Sequence, residues 1–176
     1  MTDASLLYSA HHDGVLRYLR RLVGQPEAAR DLTQEVFLRV ARGPVPAATD
    51  AERRAWVFKI ARNLALNHLR DGRRRSATVE LADAATPAMQ ELATAMRQAL
   101  DALQALDRDV FLLRESAGLG YDEIAGACDL TVDAVRMRLH RARTGLREAL
   151  GGSLADQRAR GISIRMTRRQ DRRTYD

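Results

Sequence analysis

Tyr121-Asp122-Glu123-Ile124-Ala125-Gly126-Ala127-Cys128-Asp129-Leu130-Thr131-Val132-Asp133-Ala134-Val135-Arg136 has the spacing of a helix-turn-helix: a short helix, a tight turn and the start of a longer second helix. Ile124 and Ala125 face inward, and the small Ala125 permits close helix approach. Asp129 stands where the turn requires a left-handed backbone, which Asp tolerates better than most residues. Leu130 plugs the core between the helices and Thr131 caps the second one. On that second helix Val135, Leu139, Ala142 and Leu146 recur at helical spacing and are expected inside. Asp133, Arg136, Met137, His140, Arg141 and Arg143 are left outside. The first turns of a recognition helix meet base edges, so Arg136, Met137, His140 and Arg141 are the candidates for the major groove. Arg138, Arg143 and Arg147 suit phosphates. The alternative is an ordinary solvated basic face; the capped turn and the short helix before it argue for DNA.

Outward from this motif the same periodicity holds. Apolar residues recur every three or four positions in almost every segment, and the alternation of strands is nearly absent, so the chain is expected to be all-α. The first half should hold helices from about Ala4 to Val23, from Pro26 to about Arg42, and from an N-cap at Asp50 to about Asp71. The second half should hold a helix beginning near Met89, one over about Asp107 to Ala117, and the two of the motif, the last ending at Leu150 before Gly151-Gly152. This gives two small helical domains, 1–72 and 89–151, the first of three to four helices and the second of four, joined by a flexible linker at 73–88. The remainder, 152–176, carries seven arginines with little apolar content and is expected to be disordered in isolation.

Each domain can bury only a modest core, so partner surfaces should matter. Lys+Arg number 29 against 23 Asp+Glu, a formal charge of +6, and Lys59 is the single lysine. Such a balance favours a polyanionic partner, and Arg forks match phosphates and guanine edges. The lone Cys128 excludes an intramolecular disulfide and is expected in the core. No phosphate-binding glycine loop or metal-ligand cluster stands out, and His11-His12 fit a solvated helix surface, so neither catalysis nor a cofactor is expected. The N-terminus has no leader pattern and no stretch approaches a membrane span, which points to a cytoplasmic protein.

Two further faces lie in the first half. Lys59, Arg62, Asn63, Asn67 and Arg70 share one side of the third helix, offering cations for phosphates and amides for base edges; Trp56 borders them and is placed either to stack on an unpaired base or to edge the core. On the second helix Asp31, Gln34, Glu35 and Leu38 form a mixed acidic and apolar face opposite Leu32, Val36 and Val40, suited to docking on a protein or simply solvated.

Five stretches together resemble the extracytoplasmic-function (ECF) sigma factors of the sigma-70 family. Gly118-Leu-Gly-Tyr-Asp-Glu-Ile-Ala125 with Val135-Arg-Met-Arg-Leu-His-Arg-Ala-Arg143 is similar to the family's −35-reading region, preceded by Asp109-Val-Phe-Leu-Leu-Arg114. Asp31-Leu-Thr-Gln-Glu-Val-Phe-Leu-Arg-Val40 resembles its polymerase-binding helix, and Trp56 to Arg70 the helix that opens and holds the −10 element. One departure is Gln104, where the family usually has proline after the equivalent of Leu103. The resemblance implies a promoter-melting first domain (region 2) and a −35-reading second domain (region 4). Its implied partners are core RNA polymerase, through the clamp of the largest subunit and the flap of the second-largest, promoter DNA both duplex and single-stranded, and an anti-sigma factor, with no small-molecule substrate. On this reading Thr131, Asp133, Arg136, Met137, Arg138, His140, Arg141 and Arg143 face −35 DNA. Trp56, Lys59, Arg62, Asn63, Asn67 and Arg70 face the −10 element, while Asp31, Gln34, Glu35 and Leu38 meet polymerase. The competing reading is a stand-alone helix-turn-helix regulator; a purely structural adaptor would leave both basic faces unexplained.

Overall fold

The computed structural model describes the backbone of residues 3–46, 48–72 and 87–170, and the side chains of these except at 87–89 and 152–170. Helix α1 (Asp3–Val23) turns Val15, Tyr18, Leu19, Leu22 and Val23 inward and ends at Gly24, whose φ of 80° lets its N–H reach the Arg20 carbonyl at 3.1 Å. Helix α2 (Pro26–Arg42) starts on the proline, as expected, and packs Ala29, Val36, Phe37 and Val40 against α1 and α3. Helix α3 is Asp50–Gly72. Its capping residue is Thr49 rather than Asp50: Thr49 N–H donates to Glu52 Oε2 at 2.8 Å and Glu52 N–H to Thr49 Oγ1 at 3.3 Å. That reciprocal box, Thr-x-x-Glu, was legible in the sequence and satisfies two donors where Asp50 would satisfy one.

The second half comprises α4 (Pro87–Ala102), α5 (Ala105–Glu115), α6 (Tyr121–Cys128) and α7 (Val132–Gln170). The chain breaks between α4 and α5 without a proline, since Gln104 takes φ −58°, close to what a proline ring would impose. Leu103 folds onto α7 beside Gly145: a Cβ there would lie 2.9 Å from Leu103 Cδ2, so the tip of the leucine would have to shift to admit one. Helix α7 does not stop at Gly151-Gly152 but runs on to Gln170. Glycine costs a helix about 1 kcal/mol per residue and ends it only where a cap takes over the free carbonyls, and helix-favouring Ala, Leu, Gln and Arg follow. The linker expected at 73–88 lies outside the described residues except for Pro87 and Ala88, which begin α4, as do residues 171–176 of the tail.

The described residues therefore form a three-helix unit, α1 to α3, and a four-helix unit, α4 to α7, without strands. The two meet where α3 lies across α6 and α1 across α5. Ala55 and Gly126 pack against each other there, a Cβ on Gly126 coming 3.4 Å from that of Ala55.

Candidate nucleic-acid interface

The turn before α7 has the geometry its sequence demanded. Asp129 is left-handed (φ 55°, ψ 47°) and closes α6, Leu130 packs on the core, and Thr131 Oγ1 accepts the Ala134 N–H at 3.2 Å. Val135, Leu139, Ala142 and Leu146 are buried. Of the outward residues, Thr131, Asp133, Arg136, Met137 and His140 are exposed, Met137 at 63% of its surface. Arg136 is held only by Asp133 at 2.7 Å and by the Tyr121 ring 5.8 Å away, both easily left for DNA.

The other three arginines are already engaged. Arg138 and Arg141 both bind Asp107 of α5, at 2.8 Å and at 3.0 and 3.2 Å, and Arg143 binds Glu115 at 2.9 Å. Asp107 is buried, so two guanidiniums are needed to offset its desolvation. Arg138 is therefore a strut between α5 and α7, and Arg141, half exposed, is oriented by the same carboxylate. Asp107 was missed because an acid at the start of a helix is ordinarily a solvated dipole partner.

On α3 the expected face is divided. Asn63, Asn67 and Arg70 are exposed, the Arg70 guanidinium donating to Asn67 Oδ1, and Trp56 is half-buried against the core. Lys59 and Arg62 instead turn to the second unit: Lys59 Nζ donates to Asp129 at 2.6 Å, and Arg62 Nε to Asp109 of α5. Asp109 also accepts the Tyr18 hydroxyl, and both Asp109 and Tyr18 are buried. Burial holds the Tyr18 hydroxyl well above its ordinary pKa, so it stays a donor. Burial also opposes the charge of Arg62, but Asp109 outweighs it and the guanidinium pKa is raised. Arg54, absent from the sequence reading, donates to Glu123 at 3.3 Å and to the Ala117 carbonyl at 2.7 Å.

On α2 Asp31, Gln34 and Leu38 are exposed and Glu35 pairs with Arg39 at 2.8 Å. Gln34 and Leu38 line a groove of about 630 Å³ with Tyr8, His12, Phe37 and Arg30, and Tyr8 and Leu38 leave large apolar surface open there. His12 sits against Tyr8 and Asp13, and among the described residues no cluster could hold a metal. Cys128 is buried, and burial pushes its thiol up to about 12, which keeps it protonated and a poor nucleophile.

Comparison with known proteins bears on both units. Sigma-70 region 2 matches residues 7–75 and Sigma-70, region 4 matches residues 93–146. RNA polymerase sigma factor CarQ of Myxococcus xanthus is 33% identical over 152 residues, covering 82% of this chain and 87% of CarQ. The chain belongs to the ECF group of the sigma-70 family. ECF RNA polymerase sigma factor SigE of Mycolicibacterium smegmatis is also 33% identical, over 82% of this chain but only 60% of SigE. Among solved structures, CnrH in complex with the cytosolic domain of CnrY superposes with a TM-score of 0.64 at 25% identity, covering 85% of this chain and 88% of that one.

Within this ECF sigma factor the region 2 match contains every residue named on α2 and α3, and the region 4 match contains the α7 residues from Val132 to Leu146. The helix-turn-helix cap offers a direct check on the α7 geometry. Thr131→Ala should lower stability by about 1 kcal/mol in urea denaturation while Thr131→Ser stays near the parent. Equal losses in both would show that the hydroxyl does not cap the helix.

Proposed function

We propose that this sigma factor directs core RNA polymerase to promoters by reading −35 duplex DNA with the exposed face of α7 and by melting and holding the −10 strand with α3. The observation that carries the reading is the presence in one chain of two basic helical faces and a largely exposed docking face on α2. Arg136 and Met137 are free to enter the major groove, Arg toward guanine and Met toward a thymine methyl. Arg143, exposed although paired with Glu115, and the strut arginines Arg138 and Arg141 supply charge toward phosphates. Asn63, Asn67 and Arg70 present amides and a cation to an unpaired strand, with Trp56 beside them. The open groove lined by Gln34 and Leu38 offers the polymerase clamp an apolar anchor, with Asp31 and Glu35 on the same helix.

Opening the duplex on this reading draws on binding energy alone, so the protein is a non-catalytic subunit acting in the cytoplasm. No helix of the described residues is long and apolar enough to cross a membrane. The solved complex of the similarly folded sigma factor RpoE with the anti-sigma factor NepR from Bartonella quintana supports an anti-sigma partner here also. A stand-alone helix-turn-helix regulator is not favoured, because region 2 would then have no task.

The test separates the two DNA faces. Arg136→Ala should weaken preference for the cognate −35 sequence by about 1–3 kcal/mol, read as the ratio of cognate to random duplex binding at fixed salt. Asn63→Ala should leave that ratio unchanged and reduce permanganate reactivity of promoter thymines with polymerase present. A chain that fails to co-purify with core polymerase would sink the sigma reading as a whole.

A further inference from the structure

We propose that Tyr121, at the start of α6, is a positioning residue for base readout: its ring holds the Arg136 guanidinium by the face, so that the donor fork of the arginine stays free for a guanine. The inference deepens the assignment of Arg136 to base edges and rests on it.

Tyr121 opens the first helix of the motif and Arg136 lies in the second turn of α7, so their contact bridges the two helices across the turn. The ring is fixed from the side of α6. Tyr121 is half-buried and packs on the core, and the Gly120 N–H donates to Glu123 Oε2 at 2.6 Å, which sets where the helix begins. Arg114 of α5 also lies over the ring, 5.2 Å from its centroid, and is itself anchored by donating to the Leu119 carbonyl at 2.7 Å. One arginine on the ring therefore belongs to the scaffold. The other, Arg136, 5.8 Å from the same centroid, belongs to the exposed face of α7.

The two contacts of Arg136 engage different parts of its side chain. The Asp133 carboxylate takes Nη1, a donor that a base would need, through a pair whose side chains are 60% and 88% exposed and which water weakens. That pair has to open when a base is read. An aromatic ring attracts the cation through its π face and takes no N–H, so a planar guanidinium can lie on it with its in-plane donors still available. Guanine O6 and N7 accept two of these side by side. A free arginine loses rotamer freedom on docking in this way, and a ring that has already narrowed its range lessens that loss. DNA that covers the contact also displaces water from it, which strengthens the attraction in the bound state. Tyr121 thus acts on sequence preference more than on overall attraction, since the charge of Arg136 is the same with or without it.

The full chain is assayed with core polymerase at fixed salt, on the duplex that the parent holoenzyme selects from a random −35 pool and on a scrambled duplex. Tyr121→Leu, which keeps apolar bulk against the core, should lower the ratio of the two affinities about fivefold, the upper end for an exposed cation–π contact. Tyr121→Phe keeps the ring and should stay near the parent. In an Arg136→Ala background Tyr121→Leu should change the ratio no further, because the side chain it positions is gone. An equal loss from Tyr121→Leu in both backgrounds would show that the tyrosine acts without Arg136 and would overturn the proposal. A loss with Tyr121→Phe as large as with Tyr121→Leu would do the same, by assigning the effect to the hydroxyl. An unchanged ratio for Tyr121→Leu beside a lowered one for Arg136→Ala would refute the positioning and leave the base contact standing. An unchanged ratio for Arg136→Ala alone would instead remove the assignment on which the proposal rests. If circular dichroism shows that Tyr121→Leu does not fold, Tyr121→Met carries the same expectations, and its failure to lower the ratio would equally refute the positioning.

Discussion

Asp107→Ala should destabilise the four-helix unit by about 3 kcal/mol, the lower end of what is lost when one member of a buried ion pair is removed. Asp107 is buried between α5 and α7 and receives both Arg138 and Arg141. Its loss leaves Arg138, three-quarters covered, without its counter-charge, while Arg141 can turn its exposed half to water, which moderates the cost. Urea denaturation followed by circular dichroism measures the effect. Asp107→Asn should recover part of it by retaining an acceptor. A loss below about 1 kcal/mol would place the cluster with ordinary surface pairs. The same variant should also impair −35 binding, since both arginines lose the group that orients them. Arg136→Ala makes the contrast: its partner Asp133 is exposed, so little stability should go with it.

Phe58→Ala should cost about 3–5 kcal/mol, the range for emptying a buried aromatic site. Phe58 is 1% exposed, meets Tyr18 edge-on with centroids 6.1 Å apart, and fills the space that Gly14 leaves open. The thermal midpoint should fall, and promoter opening should be lost as a consequence of unfolding. Trp56→Ala, two residues away and half-buried, should reverse the proportions, with a smaller loss of stability and a larger loss of open complex at a temperature where the fold persists. If Trp56→Ala lost only stability, the tryptophan would be an edge-of-core residue with no part in holding DNA.

The elements of this chain were legible because what makes them is local. Three- and four-residue apolar spacing, Pro26 at a first turn, Gly24 at a C-terminus and Asp129 in a left-handed turn each act within one or two helical turns, and they sit where the sequence placed them. The misreadings were local too. Thr49 took the cap assigned to Asp50, and Gly151-Gly152 did not terminate α7.

The faces of α2, α3 and α7 were determined by sequence in the same way, since helical periodicity decides which residues can point outward together. What periodicity cannot decide is which outward charges are spent on another part of the chain. Arg141 meets Asp107 across 34 residues, Arg62 meets Asp109 across 47, and Lys59 meets Asp129 across 70. In sequence these are cations on a solvated face and acids on other helices, with nothing to pair them. Only the packing of α5 on α7, of α1 on α5 and of α3 on α6 brings them within hydrogen-bond reach, and at the buried Asp107 and Asp109 it removes the water that would otherwise screen them, so tertiary structure alone decides which cations are struts, which pair between the two units and which stay exposed.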